Sequence, residues 1–352
     1  MLMFWIQFVL VLGAVLIGIR RGGVSLGLIG GLGVSLLVLG FRSAPSEPPI
    51  AVMLIILAVV TASATLQVAG GLDYLVQLTE RMLRAHPKYV TILAPLSTFF
   101  LTVCCGTGHA VYALLPVISD VALKTGIRPE RPMAISSVAS QMGITASPVA
   151  AAVTFFLGFA AKAGYPVTLV DIIMVTMPAG VLGVLAAAAW SFNRGKDLDK
   201  DQEFQARLED PDFRNTLNAN VTTLDQKIST TAKLSVLLFF AGVGSIILLA
   251  SFPELLPLDH KGKAVAMTTV VQFVMLAFGA FIMFAGNVKA KDIAHSSVFT
   301  AGMIAVVSIF GIAWMSDTFI SANKGYLIET IGTMVKTAPW TFAIATFCIS
   351  AF

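Results

Sequence analysis

Residues 104–120, CCGTGHAVYALLPVISD, interrupt an apolar run at a depth where a spanning helix would be continuous. Gly106, Thr107, Gly108 and His109 form the interruption, and two glycines so close together break a helix. Backbone freed in hydrocarbon has no water to bond, so it must be buried in protein or line a wet cavity. A helix restarting near His109 would point unpaired N–H groups and the positive end of its dipole at the break. Thr107 adds a hydroxyl donor, and a carboxylate suits the set. The alternative is a plain loop between two helices. The flanking apolar runs are each short for a full crossing, which favours the tip of a re-entrant hairpin over 89–123. His109 reads either as a group that titrates and couples proton movement or as a neutral donor of one hydrogen bond. The second is the commoner role of a buried histidine.

A second interruption lies at 141–150, QMGITASPVA, inside the apolar run 133–161. Pro148 removes an intrahelical hydrogen bond and clashes with the preceding turn. Thr145 and Ser147 could satisfy the freed groups or meet a ligand, and Gln141 could donate an amide hydrogen. A packing kink would explain the same residues. Two broken segments in one half favour a binding site, because discontinuous helices build midplane sites.

Charged residues form a third group. Glu80, Arg81 and Arg84 lie on an amphipathic helix over 72–86, and Arg128, Glu130 and Arg131 lie after the hairpin. A basic mouth there would steer or gate dianions, and arginine binds carboxylate bidentately. Glu80, Arg84, Arg128 and Arg131 are the residues assigned that part. Ordinary loop charge is the competing explanation for each of them singly. Asp317, near the end of an apolar run, could coordinate a cation or simply face water. The sequence carries no G-x-S-x-G, H-E-x-x-H or P-loop pattern. Cys104, Cys105 and Cys348 have no metal spacing, and the four histidines are scattered singly. No catalytic residue, metal site or cofactor is expected, and no nucleic-acid partner.

The elements that must position these groups follow from composition. The chain has 352 residues, 57% hydrophobic and 12% charged, where a soluble domain has about 25% charged. The apolar surplus must face a lipid bilayer. Segments 2–18, 23–41, 50–69, 166–192, 234–251, 264–286 and 299–319 approach or exceed the roughly 20 residues a spanning helix needs. The absence of alternating ten-residue units argues against a barrel. The first run lacks a basic leader and reads as a retained helix.

The polar stretch 193–233 divides the chain into a first membrane repeat, 1–192, a solvated linker with a short amphipathic helix, and a second repeat, 234–352. Shifted by 252 residues, YLVQLTERMLRAHPKYVTILAPLSTFF at 74–100 aligns with YLIETIGTMVKTAPWTFAIATFCISAF at 326–352. Tyr74 falls on Tyr326, Arg84 on Lys336 and Pro87 on Pro339. The counterpart of Gly106 would be position 358, so the second repeat is expected to be incomplete here. With the N-terminus outside and one re-entrant hairpin, 17 of the 23 Lys and Arg fall inside, as the positive-inside rule requires. An odd number of crossings in the first half inverts the second. The expected fold is thus an all-α membrane protein, a polytopic helical bundle of two inverted repeats with re-entrant hairpins and discontinuous helices.

Several long stretches, ASATLQVAGGLDYL, LLPVISDVA after the GTGH tip, RPERPMAISSVASQMGITASPVAAAV, RGKDLDKDQEF and GMIAVVSIFGIAWMSDTF, resemble the anaerobic C4-dicarboxylate transporter family, called Dcu, most of all its DcuB branch. The resemblance implies a multi-pass bacterial inner-membrane carrier exchanging fumarate, malate or aspartate for succinate during anaerobic respiration. It assigns Gly106–His109 and Thr145–Pro148 to half of the substrate site, and it implies a chain that continues past Phe352. Two other classes compete: a cation-coupled symporter of citrate or another oxyanion, and a sensor or scaffold subunit docking a membrane partner through 193–233. The N-terminus is expected to be periplasmic and the linker cytoplasmic.

Overall fold

The protein was analysed as a computed structural model, which describes residues 2–108, 111–150, 152–153, 156–157, 160, 164–165, 167–210, 222–258, 262, 264–329 and 340. The described elements are α-helices, short 3-10 turns and one π turn, with a single isolated β-bridge between Leu258 and Ala264. In chain order the helices are α1 (Leu2–Arg21), α2 (Ser25–Ser35), α3 (Ile50–Val68), α4 (Gly71–Ala85), α5 (Val90–Cys105), α6 (Val111–Lys124) and α7 (Glu130–Thr145). They continue with α8 (Leu169–Ser191), α9 (Gln202–Arg207), α10 (Thr230–Ser251), α11 (Met267–Ala285), α12 (Ala290–His295) and α13 (Ser297–Ala322). Among the described residues seven helical segments are long and apolar enough to cross a membrane. This is an all-α polytopic membrane protein, and the lipid-facing surplus appears as exposed Leu16, Leu39, Met174, Leu237 and Phe284.

Two of the expected spans differ. The run 23–41 is not one long helix: α2 has 11 residues and passes into a five-residue π turn, Leu36–Gly40. The glycines of SLGLIGGLGVS lie within α2 and serve there for close contact. A β-carbon at Gly27 would lie 2.0 Å from the Val307 carbonyl oxygen, and one at Gly30 2.4 Å from the Gly311 carbonyl carbon, so only glycine lets α2 lie on α13. Conversely Pro87–Cys105, read as a hairpin arm, is itself 19 residues long and apolar enough to span.

The chain divides into two compact units, 1–53 with 301–352, and 54–300. In the first, Val11, Ala14, Val15, Val34, Leu37, Met315 and Phe319 make the core. The loop after the π turn is pinned by the Trp314 indole N–H on the Ser46 carbonyl (2.7 Å) and by the Ser46 N–H on Thr318 Oγ1 (3.2 Å). Asn323 donates to the buried Gln7 side chain at 2.7 Å.

In the second unit, α3, α8, α10 and α11 surround a core that includes Ile55, Leu66, Phe239, Ile246, Met275 and Ile282. Gln67 near the end of α3 accepts from the Val298 N–H and donates to Ser297, capping the start of α13. The helix α4 falls where the sequence places its amphipathic segment. Its buried face, Leu72, Val76, Glu80 and Leu83, recurs at spacings of three and four, as a helix face requires. Leu72, Val76 and Leu83 join Val90, Ala94, Leu114, Val117 and Ile118 in one cluster on α5 and α6.

Candidate functional site

The pair α5 and α6 forms a hairpin whose open ends lie together. Arg84, at the end of α4 and just before α5, donates from Nη2 to Asp120 in the last turns of α6 at 2.7 Å. The chain therefore returns to the side from which it entered. The third helix, α7, runs alongside α5 in the same direction: the Thr98 hydroxyl donates to the Ser136 carbonyl at 3.1 Å, and Thr102, one turn on, lies against Gly143. Phe99, Val103, Ala139, Ala146 and Val184 fill that seam. Two parallel rods thus finish at one level.

What they carry there is the two interruptions. The helix α5 ends at Cys105, and Gly106 takes φ +71°, a left-handed cap that a β-carbon disfavours. Its N–H returns to the Thr102 carbonyl at 2.8 Å, and the Cys105 carbonyl accepts the Ser63 hydroxyl of α3 at 3.0 Å. Two of the last four carbonyls of α5, those of Thr102 and Cys105, are thereby satisfied. Helix α7 ends at Thr145, and 146–150 follow as buried, non-helical backbone, with helical geometry again at 152–153. The Ser147 N–H bonds the Ile144 carbonyl, and Ser147 Oγ accepts the Val149 N–H, both at 3.4 Å.

The tip and the break touch. A β-carbon at Gly106 would stand 2.9 Å from Val149 Cγ2 and 3.2 Å from Val59 Cγ1, and one at Gly108 would stand 2.6 Å from the Gln141 amide nitrogen. Of the residues singled out from sequence, Gly106, Gly108 and Gln141 meet here, with Ser147 and Pro148 in the adjoining break. Thr107 is half-buried at the tip between the two glycines. Thr145 is exposed and its hydroxyl turns back to the Met142 carbonyl at 2.7 Å. His109 lies outside the described residues. The chain enters α6 at Val111, three residues after Gly108, and the first N–H groups of a helix have no carbonyl partner within it.

The four charged residues collect at the opposite end of α5, about 24 Å away for 16 residues of helix. Glu80 is fully buried and accepts from Arg84 Nε (2.7 Å), the Thr222 hydroxyl (2.8 Å), and the N–H and hydroxyl of Thr223 (2.8 and 2.6 Å). Burial alone would raise its carboxyl. The hydrogen bonds from Thr223, Arg84 and Thr222 outweigh that and hold it below the ordinary glutamate value. Gln77 adds two bonds, to the carbonyls of Thr223 and Gln226. Asp120 also receives Lys124 at 2.9 Å.

Arg128 meets Asp201 at 2.8 Å and Glu130 at 3.6 Å. Asp201 caps α9, and the N–H groups of Phe204 and Glu203 together with Arg128 lower its carboxyl. Arg131 turns Nε to the Arg194 carbonyl (2.6 Å), Nη2 to the Gly195 carbonyl (2.8 Å) and Nη1 to Asp197 (2.8 Å). The polar stretch after α8 therefore lies against the feet of α4, α6 and α7. Sequence reading did not find Ser63, Asp120, Asp197, Thr222 or Thr223. An acid in an otherwise apolar helix was a usable signal for Asp120, and the others left none.

Among the described residues no group of three or more His, Cys, Asp or Glu could hold a metal ion. Two buried hydroxyls on the α5–α7 pair, Thr102 and Ser136, have no hydrogen-bond partner among the described residues. The neighbouring Ser97, Ser137 and Ser140 instead bond back to their own helices.

A family model described as anaerobic C4-dicarboxylate membrane transporter matches residues 3–352. The chain is 43% identical over 355 residues to the anaerobic C4-dicarboxylate transporter DcuB of Shigella flexneri, covering 100% of this chain and 79% of that one. It is 35% identical over 344 residues to the C4-dicarboxylate transporter DcuA of Wolinella succinogenes (98% and 78%), and 36% over 352 to DcuA of Escherichia coli (98% and 78%). No solved structure matches.

Proposed function

Because this chain belongs to the anaerobic C4-dicarboxylate membrane transporter family, a family of transporters and not of enzymes, we propose that it exchanges one C4-dicarboxylate for another and that the hairpin tip and the helix break form half of its substrate site. The direction of exchange follows the expectation above: fumarate, malate or aspartate against succinate, across the bacterial inner membrane. One observation carries the site: two interruptions from separate helices meet at one level, Gly106 against Val149 and Gly108 against Gln141.

Chemically the pair suits a carboxylate. The α6 opening brings N–H groups and a positive dipole end. Thr107 brings a hydroxyl, Gln141 an amide, and the backbone of Ser147 and Pro148 stands beside them. Thr145 joins the site once its hydroxyl leaves the Met142 carbonyl, and His109 would supply a further donor. A dicarboxylate held by these groups exchanges water for fixed donors. Glu80, Arg84 and Arg128, at the inner feet, set the local field that a dianion crosses. Two inverted repeats, 1–192 and 234–352, with 193–233 cytoplasmic and the N-terminus periplasmic, would expose the site alternately.

The test is Thr107→Val in the full-length protein. Counterflow of labelled succinate in proteoliposomes is lost while the protein still inserts. Wild-type counterflow in that variant would remove the tip from the site.

A further inference from the structure

The tip and the break belong to helices that pack along their length, but different side chains hold the feet of those helices. The hairpin is tied at its foot to α4 through Arg84 on Asp120. The break sits at the far end of α7, and the foot of α7 is held by something else: the first residues after α8. The Arg131 guanidinium spends three donors on that strand, at 2.6–2.8 Å. The Ser191 hydroxyl donates to the Arg131 carbonyl at 3.4 Å, and the Leu198 N–H to the Gly126 carbonyl at 3.1 Å. Gly195, with φ +71°, packs on the stem of Arg128.

A guanidinium that captures incoming anions needs its donors open to water. The Arg131 side chain is 8% exposed, and its charge is met by Asp197. Its planar fork fits two carbonyls and a carboxylate together, which a lysine cannot reproduce. A helix is stiff along its axis, so a clamp at its foot fixes the height of its far end.

We propose that Arg131 is a positioning residue: its clamp on residues 194–197 sets the height of the break at 146–150 relative to the hairpin tip, and thereby the length of diacid the site accepts. This rests on the site reading above. Asp197 completes the clamp from the linker side. Loosening it lets α7 shift along α5, so a diacid one methylene longer is admitted.

The experiment uses full-length Asp197→Asn and Arg131→Gln in proteoliposomes, with labelled-succinate counterflow competed by unlabelled succinate or glutarate. Both variants bring the preference for succinate over glutarate toward one. Arg207→Gln, which breaks an exposed pair on α9, leaves it unchanged. A destabilised protein would lose active molecules and keep the ratio. Were Arg131 a steering charge, Asp197→Asn would bare it and raise uptake at low salt with the ratio intact. An unchanged ratio in Asp197→Asn overturns the proposal, whatever Arg131→Gln does to folding. Normal counterflow in Thr107→Val would instead sink the site reading, so the two failures are distinguishable.

Discussion

Glu80→Ala removes the acceptor that joins α4 to residues 222–223 and that orients Arg84, which in turn holds Asp120. The carboxylate is fully buried and takes four hydrogen bonds, one of them from a cation. Alanine takes the acceptor from the Thr223 N–H and one of its carboxylates from Arg84. Removing one partner of a buried ion pair costs about 3–5 kcal/mol. The Arg84 side chain, 25% exposed, regains some water, which places the loss toward the lower end. At about 2 °C per kcal/mol for a chain of this size, the unfolding midpoint falls by about 6–8 °C. Arg84→Ala costs less, because Glu80 keeps its three bonds from Thr222 and Thr223. Circular dichroism of the purified protein in detergent reads both midpoints. A Glu80→Ala midpoint within about 1 °C of wild type, under a threshold of about 0.5 kcal/mol, would refute the bracket. So would an Arg84→Ala loss larger than that of Glu80→Ala.

The same carboxylate predicts a pH dependence. Its folded pKa lies below the unfolded one, so its contribution is complete above the unfolded value, about 4.3, and is lost as pH falls through the folded value. The midpoint should drop on acidification through that window, and Glu80→Gln should flatten that part of the curve. A buried hydroxyl without a partner costs about 1–3 kcal/mol, and an apolar isostere removes the cost. Thr102→Val is therefore expected to raise the unfolding midpoint or leave it unchanged, by the same measurement, and a clear fall would show that Thr102 has a partner.

Local chemistry was legible in the chain and distant pairing was not. Gly106 and Pro148 mark their breaks because each acts on its own backbone, one by a left-handed cap and the other by a missing N–H. The alternation of Leu72, Val76 and Leu83 with polar residues places α4 to within a residue at each end. Length alone misled at 23–41, where glycines serve contact with α13 and the helix gives way to a π turn. Arg131 and Asp197 are 66 positions apart, and Glu80 and Thr223 are 143 apart. Nothing in the sign of a charge selects its partner over such distances. The arginines therefore read as a solvated basic mouth, although Arg128 and Arg131 turn donors onto the linker and Arg84 turns its own onto Glu80 and Asp120. Likewise, each interruption is visible singly, while their meeting depends on α5 and α7 lying parallel.

A structure of the full-length protein determined with succinate bound tests the central claim most directly. The account predicts a carboxylate at the tip, within hydrogen-bond distance of Thr107 and beside the backbone of 146–150. A diacid bound elsewhere, with 106–108 and 146–150 touching only protein, would contradict it.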